Sequence, residues 1–219
     1  MAAIIFDLDG TLIDSAPDIR AAANATLEES GRDRLTLEQV VSFIGHGSAR
    51  FVDRCLDATG GRGDTAFEDG FRARFKRHYS AGPTGLTTIY PGAIRALGQL
   101  RDGGHLLGIC TNKPHDLAVD AVRTCGLDSL VTVVVGGGLV GELKPDPRGL
   151  FHCLELLNGS RDDVVYIGDS ETDEATALAA EVPFGFFTRG YRKKQVEDFT
   201  ARFRFDHFDE LVDRVAELA

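Results

Sequence analysis

The sequence predicts an α/β fold in which a doubly wound parallel sheet carries a small α-helical domain inserted after its first strand. From residue 82 onward, short apolar runs typical of buried parallel strands alternate with amphipathic helical segments. Between residues 15 and 79, helical patterns follow one another without a strand-like run. We therefore expect a core domain formed by residues 1–14 and 83–219, and a helical domain formed by residues 15–82.

The first strand is predicted at residues 2–6, a wholly apolar run. The inserted helices begin at Ser15 and Pro17, and Gly31 ends the first of them. A capping box of Thr36 and Gln39 starts the second helix. Two later helices are predicted from apolar side chains at helical spacing, namely Phe51, Val52, Cys55 and Leu56, and then Phe67, Phe71 and Phe75.

The remaining elements alternate between strand and helix, as a parallel sheet requires. Strands are predicted at residues 106–110, 131–135, 164–167 and 184–187. Helices are predicted at 93–102, between Pro114 and Gly126, at 147–157 and around 171–180. A final helix presents Phe208, Leu211, Val212 and Val215.

Composition excludes several classes of partner. The chain has 34 acidic and 24 basic residues, and its formal net charge of -10 would repel nucleic acid and an anionic membrane surface. The basic cluster at residues 74–78 lies within a helical pattern and is interpreted as a solvated face. No apolar segment approaches the length of a membrane span, so we expect a cytoplasmic protein. The four cysteines are widely spaced, which favours buried reduced thiols.

Acidic residues follow two of the predicted strands. Asp7 and Asp9 come directly after the first strand and, being two residues apart in an extended chain, point to the same side. Asp169 and Asp173 follow the strand at 164–167 in the same way. The carboxyl ends of parallel strands share one sheet edge, so these carboxylates should meet there. Such a cluster needs a cation or protons; a hard divalent ion is the natural solution, and oxygen ligands favour Mg²⁺ with a phosphorylated ligand.

Two further strand ends offer groups that complement a phosphate. Thr111, Asn112 and Lys113 precede a helix, so a hydroxyl and backbone N–H groups are available there. Lys144 lies beside two prolines and could balance charge on a phosphoryl group.

Four motifs occur in a fixed order: DLDGT at residues 7–11, TNK at 111–113, LKPDP at 143–147 and GDSETD at 168–173. Together they resemble the four motifs of the haloacid dehalogenase-like (HAD) phosphatases, whose core is Rossmann-like, and the match spans nearly the whole chain. DGTLIDSAPDI, CTNKP and KPDP are most similar to the phosphoglycolate phosphatase family, which has a small helical cap after the first motif.

The resemblance implies that Asp7 is a nucleophile forming an aspartyl-phosphate, and that Asp9 protonates the leaving alcohol and then deprotonates water. It implies Mg²⁺ held by the Asp7 side chain, the Asp9 backbone carbonyl and Asp169, with Asp173 orienting Lys144 or a metal-bound water. Three side chains are expected to bind the phosphoryl group: Thr111, Asn112 and Lys144. Dehalogenating members need neither the +2 Asp nor the metal, so a phosphatase is favoured.

The helical domain must supply selectivity, because the core motifs handle only the phosphate. Gly45, His46 and Gly47 lie in a loop similar to the substrate-facing cap loop of phosphoglycolate phosphatases. His46 either contacts a substrate carboxylate or is an exposed loop residue, and Arg50 is a second candidate for that carboxylate. Glu171 is interpreted as an exposed residue in the first turn of its helix rather than as a group that tunes the metal.

The expected function is Mg²⁺-dependent hydrolysis of 2-phosphoglycolate, a small phosphorylated metabolite. The alternatives are a phosphatase for pyrophosphate, a sugar phosphate or a nucleotide, a mutase resembling β-phosphoglucomutase, and a non-catalytic phosphate-binding module. Neither nucleic acid nor membrane is an expected partner, and the protein is expected to be a monomer or a homodimer. The linkers at residues 13–16 and roughly 80–90 are expected to act as hinges that close the helical domain.

Overall fold

The computed structural model describes residues 2–81 and 85–218, so the predicted domain boundary between residues 82 and 83 lies outside the described residues. The strands in the described part are β1 (Ala3–Phe6), β2 (Ile13–Asp14), β3 (Thr88–Ile89), β4 (Leu106–Pro114), β5 (Val133–Gly137), β6 (Val164–Gly168), β7 (Phe184–Phe187) and β8 (Phe203–Phe205). The α-helices there are α1 (Ala16–Glu29), α2 (Leu37–Phe43), α3 (Gly47–Ala58), α4 (Thr65–Ser80), α5 (Ala93–Asp102), α6 (His115–Thr124), α7 (Arg148–Leu156), α8 (Glu171–Ala180) and α9 (Leu211–Ala216).

Six strands form one parallel sheet in the order β5-β4-β1-β6-β7-β8, with β1 near its centre. Successive side chains of β1 pack on opposite faces, because a strand alternates its side chains. Ile4 and Phe6 join a core with α5, α6 and α9, whereas Ile5 joins a core with α7 and α8. Helices therefore cover both faces, and the predicted doubly wound α/β fold is confirmed.

Helices α1–α4, which we call the helical insert, leave the sheet after β1 and have an apolar core of their own. Phe51, Phe71 and Phe75 are buried at its centre. The predicted capping box is present, since Thr36 Oγ1 accepts the Gln39 N–H and the Gln39 side chain accepts the Thr36 N–H. The insert thus lies above the carboxyl end of β1, where ligands of open α/β sheets bind.

The two connections between the sheet and the insert are paired with each other. β2 and β3 form a two-stranded antiparallel ribbon in which Ile13 lies opposite Ile89 and Asp14 opposite Thr88. From the sequence these segments were expected to be separate linkers, because a strand of two residues is too short to show an alternation of apolar and polar side chains. Their role as a hinge stays a prediction.

Four further elements differ from the sequence prediction. β5 covers Val133–Gly137 instead of residues 131–135. β4 continues to Pro114 instead of ending at residue 110, with an irregularity in its pairing to β5 between Cys110 and Pro114. β8 was not predicted, because it has only three residues, carries Arg204 and pairs on one side alone. The last α-helix begins at Leu211, and Phe208 lies in a preceding 3₁₀ turn.

The remaining surface and cysteine predictions fit the structure. On the surface of the insert, Arg77 of the basic cluster forms an ion pair with Glu29, and the His78 ring lies 2.9 Å from Glu29 Oε1. All four cysteines are free thiols, and three of them are buried. Within residues 2–81 and 85–218, no helix combines the length and the apolar character that crossing a membrane needs.

Candidate active site

The site begins with the two aspartates that follow β1. The Asp7 N–H donates a hydrogen bond to the Ile167 carbonyl, which continues the pairing of β1 with β6 by one residue. Asp7 and Asp9 both line one cavity at this edge of the sheet. Gly10 then turns the chain with φ of 92°. A Cβ at this position would lie 2.5 Å from Asp169 Oδ2, so only glycine fits beside that carboxylate.

Lys144 is the buried cation behind Asp7. Its Nζ lies 2.9 Å from Asp7 Oδ1 and 2.6 Å from Asp173 Oδ1, and it donates a hydrogen bond of 2.8 Å to the Tyr166 hydroxyl. Burial opposes the charge of Lys144, but the two carboxylates outweigh it and hold the pKa of Lys144 above its ordinary value. Burial also opposes ionisation of Asp173, yet Lys144 outweighs burial and lowers the pKa of Asp173. Lys144 and Asp173 therefore form the tighter, fully ionised pair.

The negative charge of Asp7 is less well compensated by its neighbours than that of Asp173. Burial raises the pKa of Asp7 to about 7, with Lys144 opposing the shift and Asp173 adding to it. Asp7 Oδ1 is buried and lies close to Lys144 but receives no well-directed hydrogen bond. Burial and the neighbouring carboxylates likewise raise the pKa of Asp169 well above its ordinary value. In the metal-free site, negative charge on Asp7 and Asp169 is therefore unfavourable, and their neutral carboxyl groups are favoured.

Asp169 is held in place at the end of β6. Its Oδ1 accepts a hydrogen bond of 2.7 Å from the Thr11 hydroxyl, and its Oδ2 accepts one of 2.6 Å from the Tyr191 N–H. Gly190 lies against the same carboxylate, since a Cβ there would be 2.2 Å from Asp169 Cβ. Asp173 completes the capping box at the start of α8, in which Ser170 is the N-cap residue. Its Oδ2 accepts hydrogen bonds from the backbone N–H groups of Asp169 and Ser170 and from the Ser170 hydroxyl.

Thr111 and Asn112 lie in the last part of β4, and both are buried. Both amide hydrogens of Asn112 have protein acceptors, the carbonyls of Gly45 at 2.9 Å and Lys144 at 3.0 Å, and its Oδ1 accepts the Lys144 N–H at 2.7 Å. A phosphoryl oxygen can reach this amide only by displacing one of these bonds. Asn112 joins the insert loop to the segment that carries Lys144, and its role as a phosphate ligand stays a prediction.

Asp9 pairs with a lysine to which the sequence analysis gave no role. Lys113 Nζ lies 3.0 Å from Asp9 Oδ1 and donates a hydrogen bond of 2.5 Å to the Tyr79 hydroxyl. The Ser15 hydroxyl donates a further bond of 2.6 Å to Asp9 Oδ1. Burial opposes the charge of Lys113, but Asp9 and Tyr79 outweigh it, so the pKa of Lys113 lies above its ordinary value.

The predicted loop of the insert faces the site, but its basic residues do not point into the main cavity. Gly45 and Gly47 adopt φ of 108° and 80°, and a Cβ at Gly47 would lie 2.6 Å from the Leu143 side chain. His46 is exposed, and partial burial together with Arg54 and other nearby cations lowers its pKa, so the ring is neutral at neutral pH.

Two small cavities adjoin the aspartates. The first has a volume of about 50 Å³ and lies between β1, β4 and the insert, where Ile44, Phe51, Phe75 and Tyr79 contribute to its walls. The second, of about 20 Å³, extends toward Asp169, His46 and Lys193. Arg50 is exposed and is not among the described lining residues of either cavity.

Comparison with known proteins identifies the family. The profile of haloacid dehalogenase-like hydrolases matches residues 4–187. The chain belongs to this family. It is 41% identical over 218 residues to a phosphoglycolate phosphatase of Cereibacter sphaeroides (strain ATCC 17025), covering 100% of this chain and 99% of the relative. It is 40% identical over 215 residues to a phosphoglycolate phosphatase of Rhodospirillum rubrum, covering 96% of this chain and 89% of the relative.

The same fold occurs in the crystal structure of a predicted phosphoglycolate phosphatase from Haemophilus somnus 129PT. The TM-score is 0.92 at 24% identity, and the match covers 97% of each chain. This likeness extends over the sheet and the insert together, so the architecture of the haloacid dehalogenase-like hydrolases is present along the whole described chain.

The acidic side chains of this hydrolase fit a hard divalent cation. Oxygen atoms of Asp7, Asp169 and Asp173 all lie within 4.8 Å of one another, and all three residues are buried. The two oxygens of Asp173 already accept five hydrogen bonds, which uses the acceptor sites of a carboxylate. From the described residues, each oxygen of Asp169 accepts only one, and Asp7 Oδ1 accepts none. Asp7 and Asp169 are therefore the side chains with remaining ligand capacity, and an all-oxygen donor set suits Mg²⁺ better than zinc.

Several residues that shape the site were missed from the sequence. Thr11 binds Asp169, Tyr79 binds Lys113, and the Tyr191 hydroxyl accepts the N–H groups of Ser15 and Ala16 at the start of α1. Thr11 and Lys113 lie inside the recognised motifs, so their position was a usable signal. Glu171, expected to be a simple surface residue, accepts the backbone N–H groups of Lys193 and Lys194.

Proposed function

We propose that the protein is a Mg²⁺-dependent phosphatase that hydrolyses 2-phosphoglycolate to glycolate and phosphate. The observation that carries this proposal is the pairing of two differently supported aspartates in one cavity. Asp7 lies against Lys144 and the acidic cluster, whereas Asp9 lies against Lys113 and the Ser15 hydroxyl. Two carboxylates in such different surroundings are suited to two different roles.

In the first step, an Asp7 carboxylate oxygen attacks phosphorus, and the bond between phosphorus and the ester oxygen breaks. Asp9 gives its proton to the departing alkoxide, so that glycolate leaves as an alcohol. Lys144, 2.9 Å from Asp7 Oδ1, holds the nucleophile in position and balances charge near the phosphoryl group. The product of this step is an aspartyl-phosphate on Asp7.

In the second step, a water molecule attacks phosphorus and Asp9 accepts its proton. The bond between phosphorus and Asp7 then breaks and releases phosphate, which restores the carboxylate of Asp7 and the protonated carboxyl group of Asp9. Asp7, Asp169 and the Asp9 backbone carbonyl would hold Mg²⁺. When bound, Mg²⁺ supplies positive charge that relieves the repulsion among these oxygens and polarises the phosphoryl group.

The choice of 2-phosphoglycolate rests on two supports. Relatives that are 41% and 40% identical over nearly the whole chain carry the name phosphoglycolate phosphatase. A cavity of about 50 Å³ beside Asp7 and Asp9 suits a leaving group of a few heavy atoms better than a sugar or a nucleoside. The cytoplasmic location and the choice between monomer and homodimer stay predictions.

The test is phosphate release from a panel of phosphomonoesters and pyrophosphate, each with Mg²⁺ and with a chelator. We expect Mg²⁺-dependent turnover with preference for 2-phosphoglycolate, abolished by Asp7→Asn. Asp102→Asn changes an exposed aspartate at the end of α5 and serves as the matched control.

The alternatives are separate outcomes of this test. Preference for pyrophosphate, a sugar phosphate or a nucleotide would refute the substrate while keeping the chemistry. Phosphoryl transfer to a sugar acceptor would indicate a mutase. Absence of turnover on every ester would favour a phosphate-binding module.

A further inference from the structure

The walls of the main cavity, as far as the described residues form them, include one basic side chain. Among the described residues that line it, Lys113 is the one lysine, arginine or histidine. From the sequence, His46 was either a contact of the substrate carboxylate or an exposed loop residue, and Arg50 was a second candidate for that contact. The pKa of His46 is lowered and His46 lines the second cavity, whereas Arg50 lines neither cavity among their described residues. As far as the described residues form its walls, the main cavity therefore offers an anionic leaving group one cation.

The covalent structure of the substrate brings its carboxylate close to this lysine. Asp9 protonates the ester oxygen in the proposed reaction, so that oxygen must lie within hydrogen-bond distance of the Asp9 carboxyl group. In 2-phosphoglycolate a single methylene separates the ester oxygen from the carboxylate. Lys113 Nζ lies 3.0 Å from Asp9 Oδ1, which places the ammonium beside the position of the carboxylate.

Tyr79 fixes this ammonium from the side of the insert. Its hydroxyl accepts a hydrogen bond of 2.5 Å from Lys113 Nζ, and its ring is stacked on Phe75 with centroids 5.4 Å apart. The Lys113 side chain is only 6% exposed, so its charge acts in a poorly hydrated environment. The three N–H donors of this ammonium reach Tyr79 and the two oxygens of Asp9, of which Oδ2 is the more distant at 3.3 Å. A substrate carboxylate oxygen would take the place of that longer bond, and the bonds to Asp9 Oδ1 and Tyr79 would remain.

We propose that Lys113, positioned by Tyr79, binds the substrate carboxylate and thereby sets the preference for 2-phosphoglycolate. This inference rests on the proposed function and adds the group that recognises the acid. Recognition is then shared between β4, which carries Lys113, and α4 of the insert, which carries Tyr79.

The experiment compares 2-phosphoglycolate with 2-hydroxyethyl phosphate, which has the same chain length and no carboxylate. The quantity measured is the ratio of kcat/KM for the two esters, called here the acid preference. In Lys113→Met we expect the acid preference to fall by about 10- to 100-fold, mainly through KM for 2-phosphoglycolate, because a charge-assisted hydrogen bond is lost. Tyr79→Phe keeps the lysine and should lower the preference by about threefold to tenfold.

Lys193→Met is the matched control, because it removes one ammonium from the second cavity, beside His46. It should leave the acid preference within about twofold of the wild type. A large fall in this variant would place the carboxylate in the second cavity and overturn the inference.

Equal losses on both esters in Lys113→Met, carried by kcat, would show that Lys113 acts only through Asp9, and would also overturn the inference. If Lys113→Met does not fold, as judged by circular dichroism, an unchanged preference in Tyr79→Phe refutes the inference instead. A wild-type protein without any acid preference contradicts the proposed substrate itself. That failure is distinguishable, because it appears before any residue is changed.

Discussion

Replacing Asp7 with asparagine should inactivate the protein and at the same time stabilise its metal-free fold. Burial raises the pKa of Asp7 from 3.8 to about 7, so the folded state prefers the neutral carboxyl group. A raised pKa gives stability that is complete below the unfolded value and is lost as pH rises through the folded value. The shift of about three units corresponds to about 4 kcal/mol of lost stability above pH 7.

Asparagine has nearly the same shape and is neutral at every pH, so it avoids this loss. In the presence of a chelator at about pH 8, Asp7→Asn should unfold with a free energy about 4 kcal/mol above that of the wild type. At about pH 4 the two proteins should be nearly equal, because wild-type Asp7 is then protonated in the folded state. Urea unfolding followed by circular dichroism measures both differences.

Asp9→Asn provides the control, since it makes the same chemical change two residues along the chain. It removes the carboxylate that pairs with the buried Lys113 and should destabilise the fold. Saturating Mg²⁺ should stabilise the wild type more than Asp7→Asn, because the wild type has one more charged ligand. If metal-free Asp7→Asn is no more stable than the wild type at pH 8, burial of Asp7 does not carry the cost assigned to it.

Three further changes probe the groups around Asp7. Lys144→Met removes the cation shared by two buried carboxylates. It should lower the free energy of unfolding by about 3–5 kcal/mol at neutral pH, measured by urea titration. A loss under about 1 kcal/mol would contradict the ion-pair argument. Tyr191→Phe removes the acceptor of two backbone N–H groups at the start of α1 and should cost about 1–3 kcal/mol in the same assay; an unchanged midpoint would mean that water replaces the hydroxyl. Gly190→Ala brings a Cβ within 2.2 Å of Asp169 and should weaken Mg²⁺ binding by about tenfold in calorimetry, whereas Gly98→Ala, where the Cβ meets open space, should bind as the wild type does.

The sequence predicts the centre of the site because strand ends have a simple signature. Residues 2–6 and 164–167 are strand-like apolar runs; Asp7 follows the first run directly, and Asp169 follows the second after Gly168. In a parallel sheet such runs must end at the same edge, which is why Asp7 and Asp169 could be expected to meet before any contact was known.

The periphery of the site could not be predicted, because it depends on how the insert packs on the sheet. The bond between Tyr79 and Lys113 joins residues 34 positions apart, and the bond from Ser15 N to the Tyr191 hydroxyl spans 176 positions. Tyr79 does not differ in sequence pattern from a helix residue packed in a core, and the motif that contains Lys113 does not reveal which residue Lys113 contacts. His46 and Arg50 were candidates because they are basic and lie in or beside the glycine loop, and local sequence does not reveal that they are absent from the described walls of the main cavity.

The ribbon of β2 and β3 makes the attachment of the insert a single double-stranded stem. Two independent tethers would allow the insert to slide, tilt and twist, whereas paired strands share backbone hydrogen bonds that such displacements break. Rocking about the stem is the displacement that preserves those bonds. Rocking of the insert would move Tyr79 toward or away from Lys113. Binding of the substrate's acid group would then depend on whether the insert is open or closed.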